Sequence, residues 1–366
     1  IKLWIDASAG NEVMGQSLKA RVRIISVAAR EPNPILYDSI LAQYGGISAI
    51  NEAPVASFSK YAVSQNTYDS LPATASGRNE SKANSIVENG MYKTEDDYGT
   101  SYYYRGSKDL LNNNVIFGGF QWKIVRINGD KSIRLIYNGI CPNNSCTINN
   151  TGTITMINNG EINTWGGNDN KYVGYMYGGA NGSASTSRAQ AVTNETDSTA
   201  KKTLDTWYEE NIKDTEYENY LTDTLFCNDR QLQSEVGGSA TGPGFGTTMT
   251  EYAGFYRLGT EMVPTLLCGL KNDRFTVSDV SVGNGALIYP IGLITLDEIN
   301  FAGDVVAGTA RANNRTNYLY TGPGMTPFTP MMSGMTITSS LRSAINLKFD
   351  VKVEGTGSES DPFIVQ

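Results

Sequence analysis

The chain of 366 residues is long enough for two or three domains, and Asp and Glu outnumber Lys and Arg by 37 to 29, for a net charge of −8. That balance excludes the basic footprint of a nucleic-acid or anionic-membrane binder. The absence of histidine excludes Ser-His-Asp and Cys-His catalysis and the common His-ligated zinc and iron sites. A charged fraction of only 18%, beside abundant Asn, Ser, Thr, Gly and Tyr, is the profile of a neutral-polar extracellular β protein.

Residues 1–27 read as a β-hairpin. Ile1, Leu3 and Ile5 alternate with Lys2, Trp4 and Asp6, and Leu18, Ala20, Val22 and Ile24 alternate with Lys19, Arg21 and Arg23. Period-two alternation of this kind marks half-buried strands. A lone hairpin is marginal in water, so the apolar face of Ile1, Leu3, Ile5, Leu18, Val22 and Ile24 needs a partner. It can pack on residues 28–90, complete a sheet that this chain lacks, or add to a neighbouring copy by strand exchange. Over 33–45 the pattern predicts a short helix, with Asn33 as cap, Pro34 at the first helical position and Ile35, Leu36, Ile40, Leu41 and Tyr44 as its apolar stripe. Residues 46–89 are small and polar, without sustained periodicity. The domain organisation expected is therefore a hairpin at 1–27, a short helix and connecting segment at 28–89, and a β-rich domain at 90–366.

From Gly90 to Gly139 the chain concentrates Tyr92, Tyr98, Tyr102, Tyr103, Tyr104, Phe117, Phe120, Trp122 and Tyr137. Phe120, Trp122 and Ile124 are expected in the core of a hairpin that turns at Asn128-Gly129. Successive strand residues face opposite sides, so Tyr102, Tyr103 and Tyr104 are expected to leave at least one ring outside, as a contact surface. Residues 166–198 read as a long surface excursion, and a helix is predicted over about 199–223. Thr295 and Glu298 form a capping box for a second short helix. The C-terminal stretch reads as two or three strands.

Cys141 and Cys146 bracket a Pro-Asn-Asn-Ser turn, which suits a local disulfide. Cys227 and Cys268 then pair across about forty residues, worth roughly 3–4 kcal/mol by chain entropy; four buried thiols are the alternative. The acidic pairs Asp96-Asp97, Glu209-Glu210 and Asp297-Glu298 all have structural explanations, the last as favourable charges in a helix's first turn. No catalytic constellation is recognised, and a non-enzyme is expected. Asp96, Asp97 and Asp169 offer hard oxygen ligands suited to calcium, without the spacing of a known loop; no other cofactor is expected. The chain contains no apolar run of the roughly eighteen residues a membrane helix needs, so an export signal or anchor is expected outside it.

Six ordered stretches carry a resemblance: "GMYKTEDDYGTSYYYRG", "VIFGGFQWKIVRINGDKSIRLIYNG", "TWYEENIKD" with "FCNDR", "YPIGLITLDEINFAG", "NYLYTG" and "INLKFDVKVEGTGSESDPFIV". Over about residues 90–366 they resemble a domain of unknown function in secreted and surface proteins of Firmicutes. The resemblance implies a C-type-lectin-like fold, distantly similar to the sulfatase-modifying enzymes. Where that family has a "YWTMSP" stretch and an "R-P-V", this chain has "PFTPMM" at 327–332 and Arg342-Ser343-Ala344. Residues 1–27, through Leu3-Trp4-Ile5-Asp6, Met14 and Val22, resemble the last two strands of the jelly-roll of TasA and camelysin biofilm-fibre proteins.

Together these readings give an α+β protein, mainly β with a few helices. The function expected is a non-enzymatic extracellular or cell-surface structural protein, a homo-oligomer assembling head to tail into a helical or linear polymer. A monomeric adhesin that binds a glycan or protein through the loops at 166–198 and 237–250 is the alternative. An enzyme related to the formylglycine generators is the third class.

Overall fold

A hairpin of two long strands, β4 (Phe120–Ile127) and β5 (Ile133–Ile140), forms the centre of the fold. In this computed structural model the chain divides into two units, Ile1–Pro32 and Asn33–Gln366. The structure describes residues 33–54, 58, 63–64, 86–106, 110–148, 155–157, 162–163, 171–240, 242–245, 250, 252–303, 338–339 and 341–366. Ile1, Leu3, Ile5, Leu18, Val22 and Ile24, expected to assemble the chain, lie outside the described residues, as does Asp169.

Other strands include β1 (Gly90–Asp96), β2 (Gly99–Arg105), β3 (Asn114–Phe117), β6 (Met176–Tyr177), β7 (Thr196–Asp197), β8 (Phe226–Cys227), β9 (Arg274–Phe275), β10 (Ile291–Gly292), β11 (Ala344–Leu347), β12 (Val353–Glu354) and β13 (Phe363–Val365). The helices that matter for the site are α1 (Leu36–Gln43), α2 (Thr199–Asn211) and α3 (Leu296–Phe301). One nine-stranded sheet runs β10-β11-β5-β4-β3-β13-β12, and the β1–β2 hairpin joins it through β2 against β4. The protein is mainly β-sheet with few helices, as its composition and alternation predict.

Trp122 and Ile124 are buried in the principal core, with Phe120 packed against it. The rings of Phe120, Trp122, Tyr137 and Trp207 form one cluster, with centroids between 5.2 Å and 6.3 Å apart. Trp207 comes from α2, which also lays Leu204 and Tyr208 on the sheet. Ser198 caps α2 by accepting from the Lys201 N–H. The helix ends at Asn211 rather than near 223, and a separate turn of 3-10 helix spans Glu216–Tyr220. Leu204, Trp207, Tyr208 and Ile212 keep helical spacing, but the next stripe positions are Thr215 and Glu216. Asp214 takes a left-handed conformation (φ 60) and the chain folds back, so that Tyr217 meets Phe117 at 5.5 Å.

The turn between β4 and β5 is longer than a two-residue Asn-Gly turn. It runs from Asn128 to Ser132, and Lys131, at φ 73, supplies the left-handed residue. Gly129 serves another purpose: a Cβ there would meet Asp96 Oδ1 and the Gly99 nitrogen at 2.6 Å. The β1–β2 turn is seated against that glycine.

α1 starts two residues later than its sequence suggests. The Leu36 N–H donates to the Val351 carbonyl and the Val353 N–H to the Pro34 carbonyl. This pairs residues 34–36 with 351–353 and leaves Ile35 as the extended cap. The helix closes as expected at Gly45-Gly46, whose N–H groups reach the Ala42 and Leu41 carbonyls in a Schellman motif. Leu36, Ile40 and Leu41 are in the same core as the sheet. Residues 33–54, which take in the predicted helix and the start of the segment expected at 46–89, belong to the second unit.

The stretch at 171–198 is likewise less superficial than expected. Tyr175 and Tyr177 are buried, and the Tyr175 hydroxyl both accepts from the Leu293 N–H and donates to the Leu293 carbonyl. Cys141 pairs with Cys146 and Cys227 with Cys268, so both disulfides form and no cysteine is free. Such bridges belong to proteins that fold in an oxidising compartment. Among the described residues no helix is long and apolar enough to cross a membrane.

Candidate functional site

The capping box at the start of α3 is present: the Thr295 hydroxyl accepts from the Glu298 N–H at 3.1 Å, and Glu298 Oε2 accepts from the Thr295 N–H at 2.8 Å. The other oxygen of Glu298 has a second task. Oε1 accepts from Arg126 Nε at 3.0 Å and from Arg134 Nη1 at 2.9 Å. One carboxylate thus caps a helix and clamps it to both central strands.

Each arginine continues outward. Arg126 donates to Asp96 Oδ2 at 2.5 Å, and Asp96 also accepts from the Tyr98 and Gly129 N–H groups. Arg134 donates to Asn346 Oδ1 and to the Leu225 carbonyl, with its guanidinium 4.5 Å from the Phe226 ring centroid. At the far end of α3, Arg105 donates to the Asn300 and Phe301 carbonyls at 2.8 Å, covering the last turn with positive charge.

A second cluster adjoins the first. Arg257 holds Asp297 with two bonds, Nε to Oδ1 at 2.9 Å and Nη2 to Oδ2 at 2.6 Å. The same Nη2 reaches Asp229 Oδ2 at 2.8 Å. Asp229 sits in a left-handed conformation (φ 50), one that Asp and Asn tolerate better than most residues.

Three guanidiniums, of Arg126, Arg134 and Arg257, thus face the four carboxylates of Asp96, Asp229, Asp297 and Glu298. The excess of negative charge is relieved at Asp229, the carboxyl that most readily takes up a proton. Burial pushes its carboxyl up to about 7, and the nearby Asp297 charge adds to the rise against the pull of Arg257. Glu298 goes the other way: burial opposes its charge, but Arg134 and Arg126 together hold it below the usual carboxylate range. Arg126, Arg134, Asp229, Arg257, Thr265 and Asp297 border a cavity of ≈ 20 Å³. That is room for one water, too little for a sugar ring.

The expected calcium ligands are committed elsewhere. The Asp96 carboxylate is occupied by Arg126 and two N–H groups, and a cation there would stand against a guanidinium. Asp97 accepts from the Cys268 N–H at 2.8 Å and pairs with Arg274 at 3.2 Å. Among the described residues no group of three Asp, Glu, His or Cys side chains is placed to hold a metal ion.

The tyrosine run is also corrected. Tyr102, Tyr103 and Tyr104 are 8%, 2% and 0% exposed, so none of them is a contact surface. They do alternate: Tyr102 and Tyr104 enter the main core, where Tyr104 meets Tyr44 at 5.8 Å, while Tyr103 lies on Phe301 of α3 at 4.6 Å. β2 is covered on both faces, as in strands that read as continuous apolar runs.

Arg126, Arg134, Asp229 and Arg257 are not among the residues that sequence reasoning selects. A signal did exist for the first two. Each lies between apolar residues inside a buried strand, and a charge in that position must find a partner. Comparison with protein-family models, curated proteins and solved structures gives no match for this chain.

Proposed function

We propose that this chain is a non-enzymatic extracellular structural protein, a subunit of a surface filament that assembles by strand exchange and displays a C-type-lectin-like domain. The observation that carries the reading is the division of the chain after Pro32. The alternating apolar residues of 1–27 belong to a unit distinct from the β-rich body, which suits a segment whose partner is another copy. The body fits the role of a displayed scaffold: its charge cluster is engaged internally, the cavity beside that cluster admits one water, and two disulfides tie its loops. A head-to-tail contact of this kind does not close on itself and so extends into a polymer.

The second reading, a monomeric adhesin for a glycan or protein, draws support from Val263 and Leu267. These side chains are 59% and 52% exposed near the rim of the charge cluster, where a partner's apolar surface can rest.

Substitution within the full chain separates the two. Under the filament reading, Val22→Asp or Ile5→Asp abolishes the growth of light scattering with concentration that the wild type shows. Equal scattering by wild type and variants overturns that reading and leaves the adhesin, whose ligand binding is unaffected by either substitution.

A further inference from the structure

We propose that Lys123 and Asn114 are joined by an intramolecular isopeptide bond that links β4 covalently to β3. The two residues are directly opposite in the antiparallel register of these strands. Both side chains are buried, each 1% exposed. Lys123 Nζ donates to Asn114 Oδ1 at 2.5 Å, which sets the amine beside the amide carbonyl.

The amide is held from its other end as well. Asn114 Nδ2 donates to the Gly357 carbonyl at 2.8 Å, and the backbone N–H of Asn114 donates to the same oxygen at 2.9 Å. Gly357 is required for that approach: at φ +77, a Cβ would meet the Asn112 carbonyl and the Phe363 ring, each at 2.5 Å. The C-terminal loop is thus fitted against β3 so that one carbonyl fixes the plane of the Asn114 side chain. Lysine faces the oxygen and the departing nitrogen faces Gly357.

The chemistry follows from this placement. The nucleophile is the neutral amine of Lys123. Fixing amine and carbonyl in contact makes the attack intramolecular and removes most of its entropic cost. A bond forms between Lys123 Nζ and Asn114 Cγ, and the bond between Cγ and Nδ2 breaks. Nδ2 leaves as ammonia, taking the proton that the lysine nitrogen loses as it becomes the new amide N–H. No oxidant, metal or cofactor enters the balance.

Intact mass spectrometry of the reduced, denatured full chain tests the bond. The expected mass is lower than the sequence mass by one ammonia. Ring closure at an Asn-Gly pair also loses ammonia, so position decides. The bond predicts that trypsin does not cut after Lys123 in the denatured chain and that the tryptic peptide containing both Asn114 and Lys123 carries the loss. Lys123→Arg and Asn114→Ala each restore the full mass of their own sequences. Should either variant fail to fold, the wild-type peptide still gives the answer. Cleavage after Lys123 in denatured wild type, with Asn114 unmodified, overturns the proposal.

Discussion

Arg126 and Arg134 are directly opposite each other on β4 and β5, and Glu298 Oε1 accepts a hydrogen bond from each. Like charges across a strand pair repel. The carboxylate turns that repulsion into a clamp and fixes where α3 begins. This single oxygen connects the central hairpin to the helix that seats Tyr103, Asp297 and the second charge cluster.

Removing the clamp is expected to be costly. Glu298→Gln leaves two buried guanidiniums without their shared counter-charge, and breaking a buried pair in this way costs about 3–5 kcal/mol. The urea midpoint falls accordingly. The same residue contributes to acid unfolding. Its carboxyl is held below the usual range in the folded state, so its stabilisation is present above the unfolded value and is lost as pH falls through the folded one. Glu298→Gln flattens that part of the pH–stability curve.

Asp229 behaves in the opposite sense. Its folded carboxyl titrates at about 7, above the unfolded value of 3.8, so the folded state binds more protons between those limits. Stability therefore decreases as pH rises from about 4 to about 7. Asp229→Asn keeps the shape and tolerates the left-handed backbone. It is expected to raise stability at pH 8 by on the order of 1 kcal/mol and to leave it nearly unchanged at pH 4. Thermal melts at the two pH values measure this. A variant less stable than wild type at pH 8 contradicts it.

Tyr103→Ala distinguishes core from surface. With its ring 4.6 Å from that of Phe301, the substitution is expected to cost about 3–5 kcal/mol, as large-to-small changes of core aromatics do. An exposed contact residue would change stability by less than about 0.5 kcal/mol. Chemical denaturation separates the two outcomes.

The disulfides are expected to contribute unequally. Cys227 and Cys268 are 41 residues apart and Cys141 and Cys146 only 5. Chain entropy assigns roughly 4 kcal/mol to the longer loop and roughly 2 kcal/mol to the shorter. Paired Cys→Ser variants, compared by urea titration, give the order.

Much of the fold was legible in the sequence because its signals are local. Alternation found the β4–β5 hairpin and placed Trp122 and Ile124 in its core, and Thr295 with Glu298 marked the start of α3. What local signals do not carry is the partner that covers a strand's second face. Tyr103 looked available because nothing near it in sequence shows that Phe301 lies over it. The start of α1 was missed for a similar reason: strand pairing with residues 351–353 outweighs the helical preference of Asn33-Pro34. The charge cluster was half visible. Arg126 and Arg134 are charges within apolar strands, a signal the sequence reading did not use, and their counter-charge lies 172 and 164 residues away at Glu298. Asp229 carried no local mark at all.

On the proposed function, copies of this chain polymerise through residues 1–27. Negative-stain electron microscopy of the purified wild-type chain, followed over a dilution series, tests it most directly. Strand exchange predicts unbranched fibres at high concentration that shorten on dilution and are absent from Val22→Asp. Dispersed, uniform particles of wild type at every concentration contradict it.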